Sequence, residues 1–283
     1  MVDNSDDKVI SDFGSEWNRF KFLDFEEKGL KEQFANYSSV LDFSEFDSKD
    51  SIAADFGAGS GRWSYFLLPH FKNVYLLEPS QEAYLVCKEK YTKYSKAIIL
   101  NESIEKNSIL DNSLDLAMSL GVMHHMPDTQ KAIKQVARKL KVGGRLFCYL
   151  YYKTDDKPIF YKMLFLGSDL ARKFISKLPF SIKLFLSGVI ALFVYWPLAK
   201  ITKLFRKLNF DTSNFPLHHY AELSFTFMYN DALDRFGTKL EKRFSKEEIV
   251  TMLEKCDFDI STLKFSETEP CWTFTVKKSR NLK

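Results

Sequence analysis

Ile52-Ala-Ala-Asp-Phe-Gly-Ala-Gly-Ser-Gly61 decides how the rest of this chain is read. It gives a short apolar strand, an acidic residue close to its end, and glycines at 57, 59 and 61, with a helix-like run, Arg62 to Phe71, behind them. Glycine lets a backbone turn tightly and come close to a ligand that a Cβ would hold away. A glycine triplet by itself marks many ordinary loops, so its context decides. A second strand, Val74-Tyr-Leu-Leu77, ends in Glu78, 23 residues after Asp55. An acid at that distance stands at the tip of the neighbouring parallel strand, where it can accept hydrogen bonds from both hydroxyls of a ribose.

With these residues in place the chain resembles the class I S-adenosylmethionine (SAM) dependent methyltransferases. Asp55, Gly57, Gly59 and Gly61 fill a D-x-G-x-G-x-G pattern, and Glu78 fits as the strand-end acid. A nicotinamide site shows G-x-G-x-x-G, and here the third glycine arrives one residue early. A dinucleotide needs a helix N-terminus aimed at its pyrophosphate. SAM has no phosphate, and the loop has only to clear its amino-acid and sulfonium part. The resemblance implies an α/β fold, a Rossmann-like seven-stranded methyltransferase sandwich, with SAM as cofactor. It assigns cofactor contacts to Asp55, Gly57, Ala58, Gly59, Gly61, Glu78 and Pro79. It also places adenine recognition after a third strand, Ala97-Ile-Ile-Leu100, through an acidic side chain and a backbone N–H. Counting back from Asp115 puts these on Ser103 and Ile104. Ser103 departs from the usual acid, so either its hydroxyl bonds the adenine or Glu102 or Glu105 reaches in.

The chain has 283 residues, 45% apolar, enough for one large domain or one domain with an insertion. A net charge of +4 does not by itself point to nucleic acid. Cys87, Cys148, Cys256 and Cys271 form no C-x-x-C pair, so metal-ligand spacing is absent and a reduced, cytoplasmic compartment is expected. The stretch Met1 to Lys8 is polar and acidic, unlike a secretory signal.

Upstream, residues 1–11 read as frayed, and Phe13, Trp17 and Phe20 then share one helix face. That face either packs on the core or forms a lid over the cofactor. The segment Phe13-Gly-Ser-Glu-Trp17 resembles the N-terminal region of bacterial small-molecule methyltransferases, which implies that Trp17 and Phe20 help exclude water. Residues 1–44 are thus lid helices and 45–152 the SAM-binding core. After helix Gln81–Tyr94 and the third strand, Leu114 to Leu120 makes a fourth, placing Leu120 and Gly121 beside the methionine part. His124 and His125 follow. One caps or fills the core, or one faces the substrate as a base or orienting donor, since an imidazole titrates near physiological pH; the resemblance favours His125. Adjacent histidines with no carboxylate cluster do not suit a metal. Thr129–Leu140 is an amphipathic helix, Lys141-Val-Gly-Gly144 a turn, and Arg145–Tyr151 a fifth strand.

Residues 153–222 then interrupt the family pattern as a helical insertion, hydrophobic and basic, read as a cap. Between Pro158 and Lys207 stand nine basic residues and one acid, Asp169, a local +8 against a chain total of +4, so the remainder carries −4. Apolar residues from Phe160 to Leu178 recur at helical spacing, and Leu184–Ala199 is 16 residues without a charge. Three readings stand: a membrane-crossing helix, for which 16 is short; a cap burying its apolar face on the protein; and a surface resting on anionic lipid, with Tyr195 and Trp196 near the headgroups. Aromatics interleaved with aliphatics argue against nucleic acid.

Residues 223–283 are expected to complete the core. Leu223–Tyr229 has a strand-like start, and Asp231, Asp234 and Arg235 are either a buried ion-pair hinge or substrate-binding groups. Ser245 and Glu248 form a capping box for a helix to about Lys255, and Ile260–Phe265 with Trp272–Val276 make a closing hairpin. The expected activity is methyl transfer from SAM to an oxygen or nitrogen of a small, hydrophobic or lipid-linked acceptor. The alternatives are a soluble sugar or secondary-metabolite methyltransferase and a non-catalytic SAM-binding scaffold.

Overall fold

A computed structural model of the chain describes residues 4–22, 29–153, 159–212, 215–266 and 271–280. These fall into two compact units, one made of Met1–Phe25, Leu30–Lys153 and Leu240–Lys283, the other of Glu26–Gly29 and Thr154–Lys239.

In the first unit, α1 (Asp7–Arg19) and α2 (Leu30–Tyr37) precede the sheet. Asp6 caps α1 by accepting the Lys8 and Val9 N–H groups, so residues 7–11 are helical and not frayed. Then come β1 (Ile52–Phe56), β2 (Asn73–Leu77), α3 (Gln81–Lys90), β3 (Ala97–Leu100), β4 (Leu114–Leu120), α4 (Thr129–Lys139) and β5 (Leu140–Tyr151). After the second unit come α9 (Lys246–Glu254), β6 (Phe258–Phe265) and β7 (Cys271–Lys278). The sheet has seven strands in the order β3-β2-β1-β4-β5-β7-β6, the sandwich expected from the sequence. β1 to β5 pair in parallel, and β7 runs antiparallel between β5 and β6. β1 and β4 are near-continuous apolar runs because helices cover both their faces. Ala132, Ile133, Val136 and Ala137 of α4 are fully buried against that core. The Ser245–Glu248 capping box forms as read.

Three local expectations fail for physical reasons. Arg62–Phe71 is a single 3₁₀ turn, Ser64–Leu67, because Pro69 lacks the N–H that would continue a helix. Lys141–Gly144 is the bulged start of β5: Gly143 has φ +82°, and a Cβ on Gly144 would lie 2.8 Å from the Leu114 carbonyl. Leu223–Tyr229 is no strand. It opens helix α8.

The second unit holds α5 (Ile159–Ile175), α6 (Phe180–Ile190), a π-helical segment (Ala191–Tyr195), α7 (Trp196–Lys207) and α8 (Phe225–Gly237). Pro158, and the side chain of Phe160, lie outside the described residues. From Phe180 to Lys207 the backbone is one continuous helix of 28 residues. The π segment ends just ahead of Pro197, whose missing N–H and bulky ring widen the preceding turn. α8 packs on α5, α6 and the π segment, so residues 223–239, assigned above to the core, belong with the insertion. Asp231 accepts a 2.9 Å hydrogen bond from Tyr220, and Arg235 donates to Ser168 at 2.9 Å.

Candidate active site

Parallel pairing carries the ends of β1, β2 and β4 to one edge of the sheet, where most of the predicted residues collect. Asp55, near the end of β1, is buried and accepts a 2.6 Å hydrogen bond from the Ser64 hydroxyl. Glu78 follows β2 and is also buried. Its Oε2 accepts the Gly59 N–H at 2.9 Å and its Oε1 the Ser80 N–H at 2.8 Å. Asn101, beyond β3, donates to the carbonyls of Glu78 and Pro79 at 2.9 and 3.2 Å and fixes the acid's backbone. Burial pushes the Asp55 carboxyl up to about 7, opposed by Ser64. It pushes Glu78 up to about 7 as well, opposed by the Ser80 and Gly59 N–H groups, with the charge of Asp55 adding to the rise. Among the described residues, no basic side chain is among the groups acting on either acid. Two dry acids with no cation of their own suit a positively charged ligand.

The loop between them is held by its own backbone. Gly57 and Ala58 donate to the Leu77 carbonyl, and Gly61 donates to that of Ala58. All three glycines have positive φ, +81°, +57° and +72°. The sequence reading gives them to ligand clearance; a Cβ at any of the three would also strike the protein itself. A Cβ on Gly57 would fall 2.6 Å from Val122, and one on Gly61 would fall 2.5 Å from the Tyr91 ring. Tyr91 also donates its hydroxyl to the Gly61 carbonyl at 2.6 Å. Gly61→Ala is therefore expected to cost about 2 kcal/mol of stability through the left-handed φ and the Tyr91 clash. A thermal midpoint equal to that of the parent would contradict the contact.

Gly59 faces α1 instead. A Cβ there would meet the Trp17 indole at 2.7 Å. Gly14 allows the close approach of α1, since a Cβ at that position would lie 2.0 Å from Ser80 Oγ. Phe13 of the same helix packs on His125, ring centroids 5.0 Å apart. Phe20 is buried at the α1 C-cap. Asn4 pairs through its side chain with the Asp128 backbone at 2.8 and 2.7 Å, and Lys90 donates to the Phe22 carbonyl, so both ends of α1 are tethered. Arg62, passed over in the sequence, sits within 5.1 Å of the Trp17, Phe22 and Trp63 rings as a cation–π centre beside the loop.

Leu120 and Gly121 lie at the same edge, Gly121 with φ +81°. Ile104 is buried in the core, while the Ser103 hydroxyl accepts the Lys106 N–H within its own turn. Glu102 accepts from Ser108, and Glu105 pairs with Lys131 at 3.3 Å.

His124 and His125 occupy a 3₁₀ turn after β4. The His124 ring stacks on Tyr151 at 4.0 Å and is wholly enclosed. Burial holds it well below the usual imidazole range, helped by the His125 and Arg243 charges and weakly opposed by the Tyr149 backbone; neither ring nitrogen reaches hydrogen-bonding geometry with a partner. His124 thus packs as a neutral ring. His125 differs. Its Nδ1 lies 2.7 Å from the Leu240 carbonyl, so Nδ1 carries the proton and Nε2 the lone pair. Tyr149 and Tyr151 of β5, unmarked by any motif, complete the aromatic wall. Among the described residues no group of three or more His, Cys, Asp or Glu side chains can hold a metal, and no disulfide forms.

Residues 54–148 match the family model described as a methyltransferase domain. An uncharacterized methyltransferase of Bacillus cereus (strain 03BB102) is 31% identical over 127 residues, 44% of this chain and 58% of that protein. Another from Bacillus mycoides (strain KBAB4) matches over the same lengths at 31%. The chain thus spans under two thirds of the length of these curated relatives. Among solved structures, the methyltransferase-like protein complexed with the Haloferax volcanii Trm112 activator is 12% identical, with a TM-score of 0.53 over 95% of this chain and 98% of that one. Mitomycin 7-O-methyltransferase MmcR is 16% identical, with a TM-score of 0.51 over 87% and 53%. At such identities the structures share the fold alone.

Proposed function

We propose, from a core whose residues 54–148 match the methyltransferase domain family, that this chain is a SAM-dependent methyltransferase acting on an oxygen or nitrogen of a small, hydrophobic or lipid-linked acceptor. One observation supports the reading: two buried acids, on which no basic side chain among the described residues acts, flank a positive-φ glycine loop. A dinucleotide would bring a doubly charged pyrophosphate to those acids and be repelled. SAM brings a sulfonium and an ammonium, a ribose diol and no phosphate.

When bound, SAM supplies an activated methyl group for displacement in line with its C–S bond. Glu78 accepts the ribose hydroxyls, the lone pairs left by Gly59 and Ser80 being sufficient. Asp55 balances positive charge, and Trp17 and Phe13 keep water from the strand ends. The chain's main contribution is to hold the nucleophile aligned and close. For a hydroxyl acceptor, His125 Nε2 takes the proton, its tautomer fixed by Leu240. The rings of Phe13 and Tyr151 against it, with Tyr149 packed on Tyr151, favour an apolar acceptor.

Calorimetry with SAM and S-adenosylhomocysteine tests the reading, and absence of heat from both would end it. With an acceptor in hand, His125→Ala is expected to lower turnover on a hydroxyl roughly a hundredfold while leaving S-adenosylhomocysteine affinity within about twofold. Equal turnover would remove the base.

A further inference from the structure

The second unit is amphipathic in the inverted sense. On α5, Ile159, Met163, Leu166, Leu170 and Phe174, spaced three or four apart, all point outward. Its inner side carries Ser168, Asp169 and the buried Arg172, which donates to the Thr238 and Lys239 carbonyls at 3.2 and 3.0 Å. The long α6–α7 helix repeats the pattern. Lys183, Ser187, Ala191, Tyr195, Ala199 and Thr202 form a buried stripe of small and polar groups. Gly188 brings that side against the Tyr229 ring of α8, and Tyr229 donates its hydroxyl to the Leu184 carbonyl at 2.9 Å. Ile182, Phe185, Val189, Phe193 and Trp196 lie on the opposite side, Phe185 and Phe193 being 68% and 71% exposed while Lys183 is 1% exposed. Among the described residues, the first unit exposes three large apolar side chains, Leu85, Leu110 and Val142; the second exposes eighteen. A water-facing module buries its apolar side. This one keeps a small apolar core around Tyr195, Tyr220, Met228 and Phe236 yet turns the larger share of its big apolar side chains outward, which suits an apolar medium outside it.

Charge identifies that medium. Lys173 and Lys177 stand where α5 ends, and Lys200, Lys203, Arg206 and Lys207 where the long helix ends; Lys173 pairs with Asp169, Lys203 with Glu222, and Arg206 donates to Thr212 and the His218 carbonyl, so Lys177, Lys200 and Lys207 lead the basic groups that flank the apolar faces. Basic groups flanking an apolar face match an anionic headgroup layer over acyl chains. The helix Phe180–Lys207 is long and apolar enough to cross a bilayer. Crossing is disfavoured, because the uncharged stretch Leu184–Ala199 spans about 24 Å against a core of about 30 Å. It would also carry Asp231, Asp234 and Arg235 of the attached α8 into hydrocarbon. We propose that the second unit lies in the headgroup–acyl boundary of an anionic bilayer, with the outward faces of α5 and α6–α7 embedded and the basic residues on lipid phosphates.

The test uses the full chain with phosphatidylcholine vesicles, with and without phosphatidylglycerol. Flotation with the anionic vesicles, weakened roughly tenfold by removing phosphatidylglycerol or raising salt, is expected. Brominated lipid should quench a tryptophan signal that Trp196→Phe removes. Phe185→Asp with Phe193→Asp, both on the outer surface, should abolish flotation with an unchanged circular-dichroism melt; Lys173→Glu with Lys177→Glu should weaken it about tenfold. Three results overturn the proposal: no flotation with either vesicle, salt-insensitive flotation equal on both, or a concentration-dependent dimer that the Phe→Asp pair dissolves in the absence of lipid. None of these readouts uses SAM, so the proposal and the methyltransferase reading fail separately.

Discussion

Replacing Glu78 with alanine is expected to lower affinity for S-adenosylhomocysteine by at least about a hundredfold, since hydrogen bonds to a charged group contribute about 1.5–3 kcal/mol each and the ribose diol makes two. The same change removes the acceptor of the Gly59 and Ser80 N–H groups, which are buried with it. Loop geometry and ligand contact are therefore lost together. Glu78→Gln separates them. Its one carbonyl oxygen can still accept from Gly59 or from Ser80, but its amide N–H₂ opposes the other donor. Its affinity should fall between parent and alanine, with a smaller stability loss. Calorimetry with S-adenosylhomocysteine decides: a parental constant in Glu78→Ala would mean that the acid serves the loop alone, and the cofactor site would have to be sought elsewhere.

The centre of this site was legible in the sequence because it depends on short-range pattern. An apolar run, alternate glycines and an acid after the next strand leave few topologies, and parallel pairing does the rest. What surrounds the site was not legible, because it depends on contacts far apart in the chain. Nothing near Gly61 announces Tyr91, 30 residues on, and nothing in Gly14 announces Ser80. Tyr149 and Tyr151 read as ordinary strand residues until β5 sets them beside the histidines. The helix α8 was missed for a different reason. Phe225-Thr-Phe-Met-Tyr229 has the composition of a strand, but Phe227 and Met228 are buried by packing on α6 and the π segment, and tertiary context overrides propensity. The insertion shows a further limit. Helical spacing reveals that a helix has two faces, yet not which one packs inside its own unit; in the second unit the larger apolar side chains of α5 and of the long helix turn away from α8.

The two buried acids also predict opposite pH dependences for the fold and for its ligand. Burial raises Asp55 from 3.8 and Glu78 from 4.5 to about 7 in the folded protein. Between the ordinary carboxylate range and about 7, the folded chain thus binds more protons than the unfolded one, and stability falls as pH rises through that window. The contribution is complete below the ordinary carboxylate range and gone near pH 8 in the ligand-free protein. Glu45 and Asp111, held down by hydrogen bonds from Arg145 and Lys139, act in the other sense only as pH falls below the ordinary carboxylate range, whereas His124 and His219, kept neutral by burial, oppose the trend below about pH 6.5. Denaturant melts of the ligand-free chain from about pH 6.5 to about pH 8 should therefore show a falling midpoint, and Asp55→Asn should remove about half of the fall. Ligand affinity runs the opposite way, because the ribose diol and the sulfonium both prefer ionised acids. Affinity for SAM should rise with pH up to about 7, and binding near pH 6 should release protons, seen as a dependence of the calorimetric heat on buffer ionisation enthalpy. In Glu78→Gln, with its acid gone, the release should shrink to the Asp55 share; a release equal to that of the parent would show that the titrating group lies elsewhere.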